Sequence, residues 1–121
     1  MYKYQIYLLL TSLIFACSCR DATLWNKVKN DITSKPVTDS FIKDKFSLAA
    51  INSLTDRDSA TTKEITDFFN NYRERTDYSI VTQSDTTYVT FNPDDQLAGG
   101  PTIEIKGDVY NWNILDIRFG K

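Results

Sequence analysis

Histidine is absent from all 121 residues. No imidazole general base, Ser-His-Asp triad, Cys-His dyad or histidine metal site can be assembled from this chain. Cysteine is nearly as scarce, and the two present, Cys17 and Cys19, both lie near the N-terminus. The rest of the chain therefore has no thiol nucleophile, no thiolate zinc site and no disulfide. Positive charge is not in excess either: 14 Lys and Arg stand against 16 Asp and Glu, for a formal net charge of −2. Nucleic-acid binding needs a clustered basic surface and is not expected. The one continuous apolar stretch, Ile6 to Ala16, is broken by Thr11 and Ser12. It is shorter than the roughly 20 residues that a helix needs to cross a bilayer.

What is present describes one small domain behind an N-terminal address. Residues 1–19 read MYKYQIYLLLTSLIFACSC, with Lys3 ahead of the apolar run and Ala16, Cys17 and Ser18 after it. That order suits the core of a signal peptide. The aliphatic and small residues leading into cysteine resemble a bacterial lipoprotein signal, in which cleavage precedes a lipidated cysteine. Cys17 fits as the acceptor, with bulky Phe15 where a small residue is usual. Cys19 is the alternative, preceded by Ala16-Cys17-Ser18. The resemblance implies a signal peptide over residues 1–16 and a bacterial cell-envelope protein, anchored by lipid and facing the periplasm or the exterior. Several acyl chains on one cysteine make a stable anchor, since each buried methylene contributes about 0.8 kcal/mol.

Residues 17–37 read as a tether that is partly helical. Leu24, Trp25, Val28 and Ile32 share a face over about Thr23 to Ile32. Trp25 and Lys27 could rest at a membrane interface; the simpler reading packs Trp25 on the domain or leaves it exposed in the tether. Ser34-Lys35-Pro36 ends the helix, because proline disfavours the helical conformation just before it.

The domain is expected over residues 38–121. Thr38 or Asp39 caps a helix whose stripe runs through Phe41, Ile42, Lys45, Phe46, Ala49 and Ala50, widened by Leu48, Ile51 and Leu54. A second helix starts at a capping box, Thr61 with Glu64. It carries Ile65, Phe68, Phe69 and Tyr72 on one face. Four strands follow. Tyr78, Ile80 and Thr82 alternate, then Thr87, Val89 and Phe91, then the strict period of Thr102 to Lys106. In the last strand Leu115, Ile117 and Phe119 are expected to face inward, opposite Ile114, Asp116 and Arg118. The fold class is α+β: two helices on one face of a roughly four-stranded antiparallel meander, cone-like or cystatin-like.

No motif for catalysis stands out. Asp94 and Asp95 beside Pro93 are turn formers. Asp56-Arg57-Asp58 lacks the glycine and distant glutamate of a calcium loop. Gly99-Gly100 lacks the helix start and Lys-Ser/Thr pair of a phosphate loop. Tyr88, Tyr110 and Trp112 are the best candidates for exposed anchors in a binding surface, against packing at the open end of the sheet. Glu104, Asp116 and Arg118 could share that surface.

TYVTF, then GGPTIEI, then the terminal ILDIRFGK resemble the C-terminal part of small bacterial domains with a nuclear-transport-factor-two-like fold, including a set of immunity proteins. The resemblance covers about a third of the chain, from Tyr88 to Lys121. The turn before the last strand, GDVYNWN, is longer than the Lys/Asp-Gly turn of related sequences. It implies a cone-shaped α+β domain that binds a toxin as a protein partner. The expectation is a non-catalytic binding module, anchored to a membrane and needing no cofactor. The alternatives are a small hydrolase using surface carboxylates and a structural envelope lipoprotein without a discrete ligand.

Overall fold

The computed structural model describes residues 22–91 and 100–119. Cys17 and Cys19, the Pro93-Asp94-Asp95 turn and Gly99 lie outside the described residues. Helix α1 is described over 22–33. Its apolar stripe, Leu24, Trp25, Val28 and Ile32, is buried as the helical spacing requires. Thr33 Oγ1 donates to the Lys29 carbonyl, and the Ser34 N–H bonds to the Asn30 carbonyl, closing the last turn before Pro36.

The stripe expected to form one helix from residue 38 to Leu54 forms two. Helix α2 (Asp39–Lys45) begins at Thr38, whose side chain accepts the Phe41 N–H, and stops at Phe46, which is extended. Helix α3 (Leu48–Thr55) restarts at Ser47, whose hydroxyl accepts the Ala50 N–H. The break has a tertiary cause. Phe46 forms a parallel bridge to Ile114, and the Ser47 N–H bonds to the Ile114 carbonyl at 2.9 Å. The outer edge of the last strand thus finds a backbone partner that a continuous helix could not offer. Asp56, in the left-handed region with φ 58, closes α3. Helix α4 (Thr62–Tyr72) carries the capping box complete, Thr61 and Glu64 each accepting the other's backbone N–H.

Strands β1 (Tyr78–Gln83), β2 (Thr86–Phe91), β3 (Thr102–Gly107) and β4 (Trp112–Arg118) form one antiparallel sheet in the order β1-β2-β3-β4. The α+β class and the meander are as the sequence implies. Among the described residues four helices accompany the sheet, with α1 and α4 on its inner face. Trp25 meets Phe91 edge-on at 5.6 Å between ring centroids, and Tyr72 lies 4.7 Å from the same ring. The core also takes in Leu24, Trp25, Val28, Ile32 and Val37, all upstream of residue 38. Trp25 is therefore a core residue.

The last strand departs from simple alternation. The register shifts between Glu104 and Ile105, so Glu104 pairs with Asp116 and Ile105 with Ile114, leaving Leu115 as a bulge. Trp112, Ile114 and Ile117 consequently face the core, where Leu115, Ile117 and Phe119 were expected. Phe119 is 52% exposed, and Asp116 and Arg118 keep the outer face.

Candidate functional site

Antiparallel pairing arranges the outer sheet face in rows. Val81 pairs with Tyr88, Tyr88 with Glu104, and Glu104 with Asp116. In the next row Ser79, Thr90, Thr102 and Arg118 align. Direct neighbours in such rows have Cβ atoms about 4.5–5.5 Å apart. Four of the six binding candidates, Tyr88, Glu104, Asp116 and Arg118, are therefore brought together.

Arg118 joins the two carboxylates. Its Nη2 lies 3.0 Å from Glu104 Oε1, and its Nε donates to Asp116 Oδ2 at 3.3 Å. The other Asp116 oxygen accepts the Ile117 N–H at 2.8 Å and the Ser53 hydroxyl at 3.3 Å, so α3 steadies it. Glu104 is buried beneath Arg118, whose own side chain remains largely exposed. The result is a charge clamp, two carboxylates around one guanidinium. It presents one net negative charge and leaves guanidinium N–H groups open to a ligand. Tyr88 is half-buried beside it, and Val81, 52% exposed, extends the face with an apolar step.

Tyr110 and Trp112, expected together, separate. Tyr110 is 92% exposed at the tip of the loop from Gly107 to Asn111. Asp108 fixes that tip, its carboxylate accepting the N–H groups of Tyr110 at 2.9 Å and Asn111 at 3.0 Å. Gly107 makes the turn possible, with φ 103 and the Asn111 carbonyl where a Cβ would sit. Trp112, by contrast, is 2% exposed and is corrected from surface anchor to core residue. Its Nε1 donates to Asp31 Oδ2 at 3.0 Å, and its ring meets Phe41 edge-on at 5.9 Å. Register explains the difference: the bulge at Leu115 puts Trp112 on the inner face with Ile114 and Ile117.

Two cations lie near Trp112: Lys27, which the sequence offered as an interfacial residue, and Lys45, which it placed only in a helix stripe. Lys45 Nζ stands 5.1 Å from the Trp112 ring centroid, and Lys27 pairs with Asp31 at 3.0 Å. On the far side of α1, Lys29 Nζ donates to the Arg73 carbonyl at 3.1 Å, at the C-terminal end of α4. Partial burial holds the Lys29 ammonium below its ordinary pKa, against the attraction of Glu74. The i,i+4 spacing of Lys27 and Asp31 was legible; their closeness to Lys45 follows from the tertiary fold.

Among the described residues, no group of three or more His, Cys, Asp or Glu is placed to hold a metal ion. No helix among them is long and apolar enough to cross a membrane. No protein-family model matches the chain, and no curated protein or solved structure matches it either.

Proposed function

We propose that the protein is a lipid-anchored component of the bacterial cell envelope that acts by binding a protein partner, without catalysis, as an immunity-type module would bind a toxin. The anchor is carried on Cys17, or on Cys19, by the lipoprotein-like wording of residues 1–19. The observation that carries the binding reading is the outer sheet face. Tyr88, Glu104, Asp116 and Arg118 converge there on one open surface, backed by a packed core. Aromatic and arginine side chains on rigid elements are the residue types on which protein interfaces concentrate their energy.

A carboxylate hydrolase is the rival, and one observation favours it: Glu104 and Asp116 are direct cross-strand neighbours. Arg118 bonds to both, which ties them into a clamp and leaves neither free to work on a water molecule.

Site-specific photo-crosslinking in living cells tests the binding reading. A photoreactive residue replacing Tyr88 is expected to give a discrete adduct that Arg118→Glu abolishes. The same group replacing Lys63, on the solvent side of α4, is expected to give none. Equal adducts at both positions, or none at Tyr88, would remove the sheet face as the site.

A further inference from the structure

The start of α1, the end of α2 and the loop from Gly107 to Asn111 meet at one end of the molecule. They frame an open cleft of about 450 Å³ lined by Thr23, Lys27, Asp31, Lys45, Val109 and Tyr110 over the Trp112 ring. A neighbouring cleft of about 490 Å³ shares Thr23 and Lys27 and adds Lys29 and Arg73. Among the described residues the two clefts are lined by four cations, Lys27, Lys29, Lys45 and Arg73, and two carboxylates, Asp31 and Glu74, with Asp108 on the Tyr110 loop as a third, on a chain whose formal net charge is −2. Tyr110 projects from this cationic end with an apolar ring and a polar tip, the kind of side chain that suits a bilayer interface.

We propose that this end of the molecule docks on the headgroups of an anionic phospholipid surface, with Lys27 and Lys45 on the headgroup phosphates and Tyr110 in the interface. The proposal rests on the lipid-anchor reading and deepens it: the domain does not hang free on its tether but sits on the membrane in one orientation.

Chain geometry favours a lipid surface over other anions. The described part of α1 begins at Ala22, within this end. Cys17 or Cys19 lies five or three residues earlier. At no more than about 3.6 Å per residue, the anchored cysteine stays within about 18 Å of Ala22, whatever path the intervening residues take. A bilayer is therefore held beside the cationic end at high effective concentration, whereas a free anion or acidic protein must arrive by diffusion. Sheet register places the binding face further along the strands than the docking end. The row of Gln83, Thr86, Lys106 and Asn113 lies at the end next to the loop. The row of Tyr88, Glu104 and Asp116 lies two residues further along β3, about 7 Å away, and Arg118, paired with Thr102, lies four residues along, about 13 Å away.

The test uses the mature protein purified from membranes with its anchor and carrying Tyr110→Trp. It is reconstituted on vesicles of phosphatidylcholine alone or mixed with phosphatidylglycerol, both with brominated acyl chains. Trp25 and Trp112 are buried, so the unmodified protein supplies their background. Quenching of the introduced indole is expected on the phosphatidylglycerol vesicles and is expected to fade in molar salt. Lys27→Gln and Lys45→Gln should each weaken docking about fivefold. The salt series needs no variant beyond the fully exposed position 110, so it stands even where a lysine substitution disturbs the fold. Protein that stays on both vesicle types with its indole unquenched overturns the docking and leaves the anchor intact. Equal quenching on both lipids overturns the assignment to anionic headgroups. Loss of the protein from phosphatidylcholine vesicles overturns the anchor reading, and this proposal with it.

Discussion

Tyr110 and Trp112 stand two residues apart and are both aromatic, yet one is 92% exposed and the other 2%. Their substitution should separate just as widely. Trp112→Ala empties a core site and leaves Asp31 without its indole donor, so about 3–5 kcal/mol is expected to be lost. That is a large share of the roughly 5–15 kcal/mol that holds a domain of this size together. Tyr110→Ala should stay within about 0.5 kcal/mol of the parent. Urea denaturation of both variants checks the pair, and equal losses would contradict the placement. A second residue-scale expectation concerns Glu64. Its carboxyl is held below the ordinary range, first by the Thr61 backbone N–H and then by the Thr61 hydroxyl and Arg57, against the cost of desolvation. A depressed acid stabilises the fold fully above its unfolded value and loses that contribution as pH falls through the folded one. The stability deficit of Glu64→Gln, present at neutral pH, should therefore shrink as the pH is taken below about 4. Melting temperatures across that range would show it.

The helical layer and the sheet differ in how much of them the sequence discloses. Period-two alternation placed the faces of β2 and β3 correctly, and the capping box at Thr61 and Glu64 marked the start of α4 to the residue. Both misjudged elements involve β4. Its inward residues are spaced irregularly, Ile114 and Ile117 being three apart, and only the bulge at Leu115 reconciles that spacing with a strand. Strict alternation placed Asp116, Ile117 and Arg118 on their correct faces and put Ile114 on the wrong one. The break at Phe46 and Ser47 is hidden for a related reason: the apolar stripe runs on unbroken, and the demand for a break comes from the Ile114 carbonyl, 68 positions downstream of Phe46. Ser47 serves three ends there. Its hydroxyl caps α3 and donates to the Leu115 carbonyl, while its N–H bonds to Ile114. Ser47→Ala should cost about 1 kcal/mol for the cap alone. The melting temperature should fall by about 4–8 °C. Ser40→Ala, at an exposed position in α2, should leave it nearly unchanged. Equal effects would show that the junction is not held as described.

At the scale of the whole molecule, the candidate site was legible in its members and not in its arrangement. Tyr88, Glu104, Asp116 and Arg118 could be named from strand faces, but their convergence depends on a strand order and register that no local pattern states. Lys27 could be named as an interfacial residue, but its closeness to Lys45 and Tyr110 could not, because the three come from α1, α2 and the loop after β3, far apart in the chain. Even the role of Trp25 required the fold, since a stripe on an N-terminal helix reads equally as tether or as core. Together these features describe a domain with a cationic end beside its N-terminal exit and a charge-clamped sheet face leading away from that end. Both proposed surfaces depend on this domain being fixed to a membrane through an N-terminal cysteine. Intact-mass and N-terminal peptide analysis of the protein extracted from bacterial membranes tests it most directly. Residues 1–16 are expected to be absent and Cys17 to bear acyl chains, or the chain to begin instead at an acylated Cys19. An N-terminus unmodified at both cysteines, or a chain that retains residues 1–16, would contradict it.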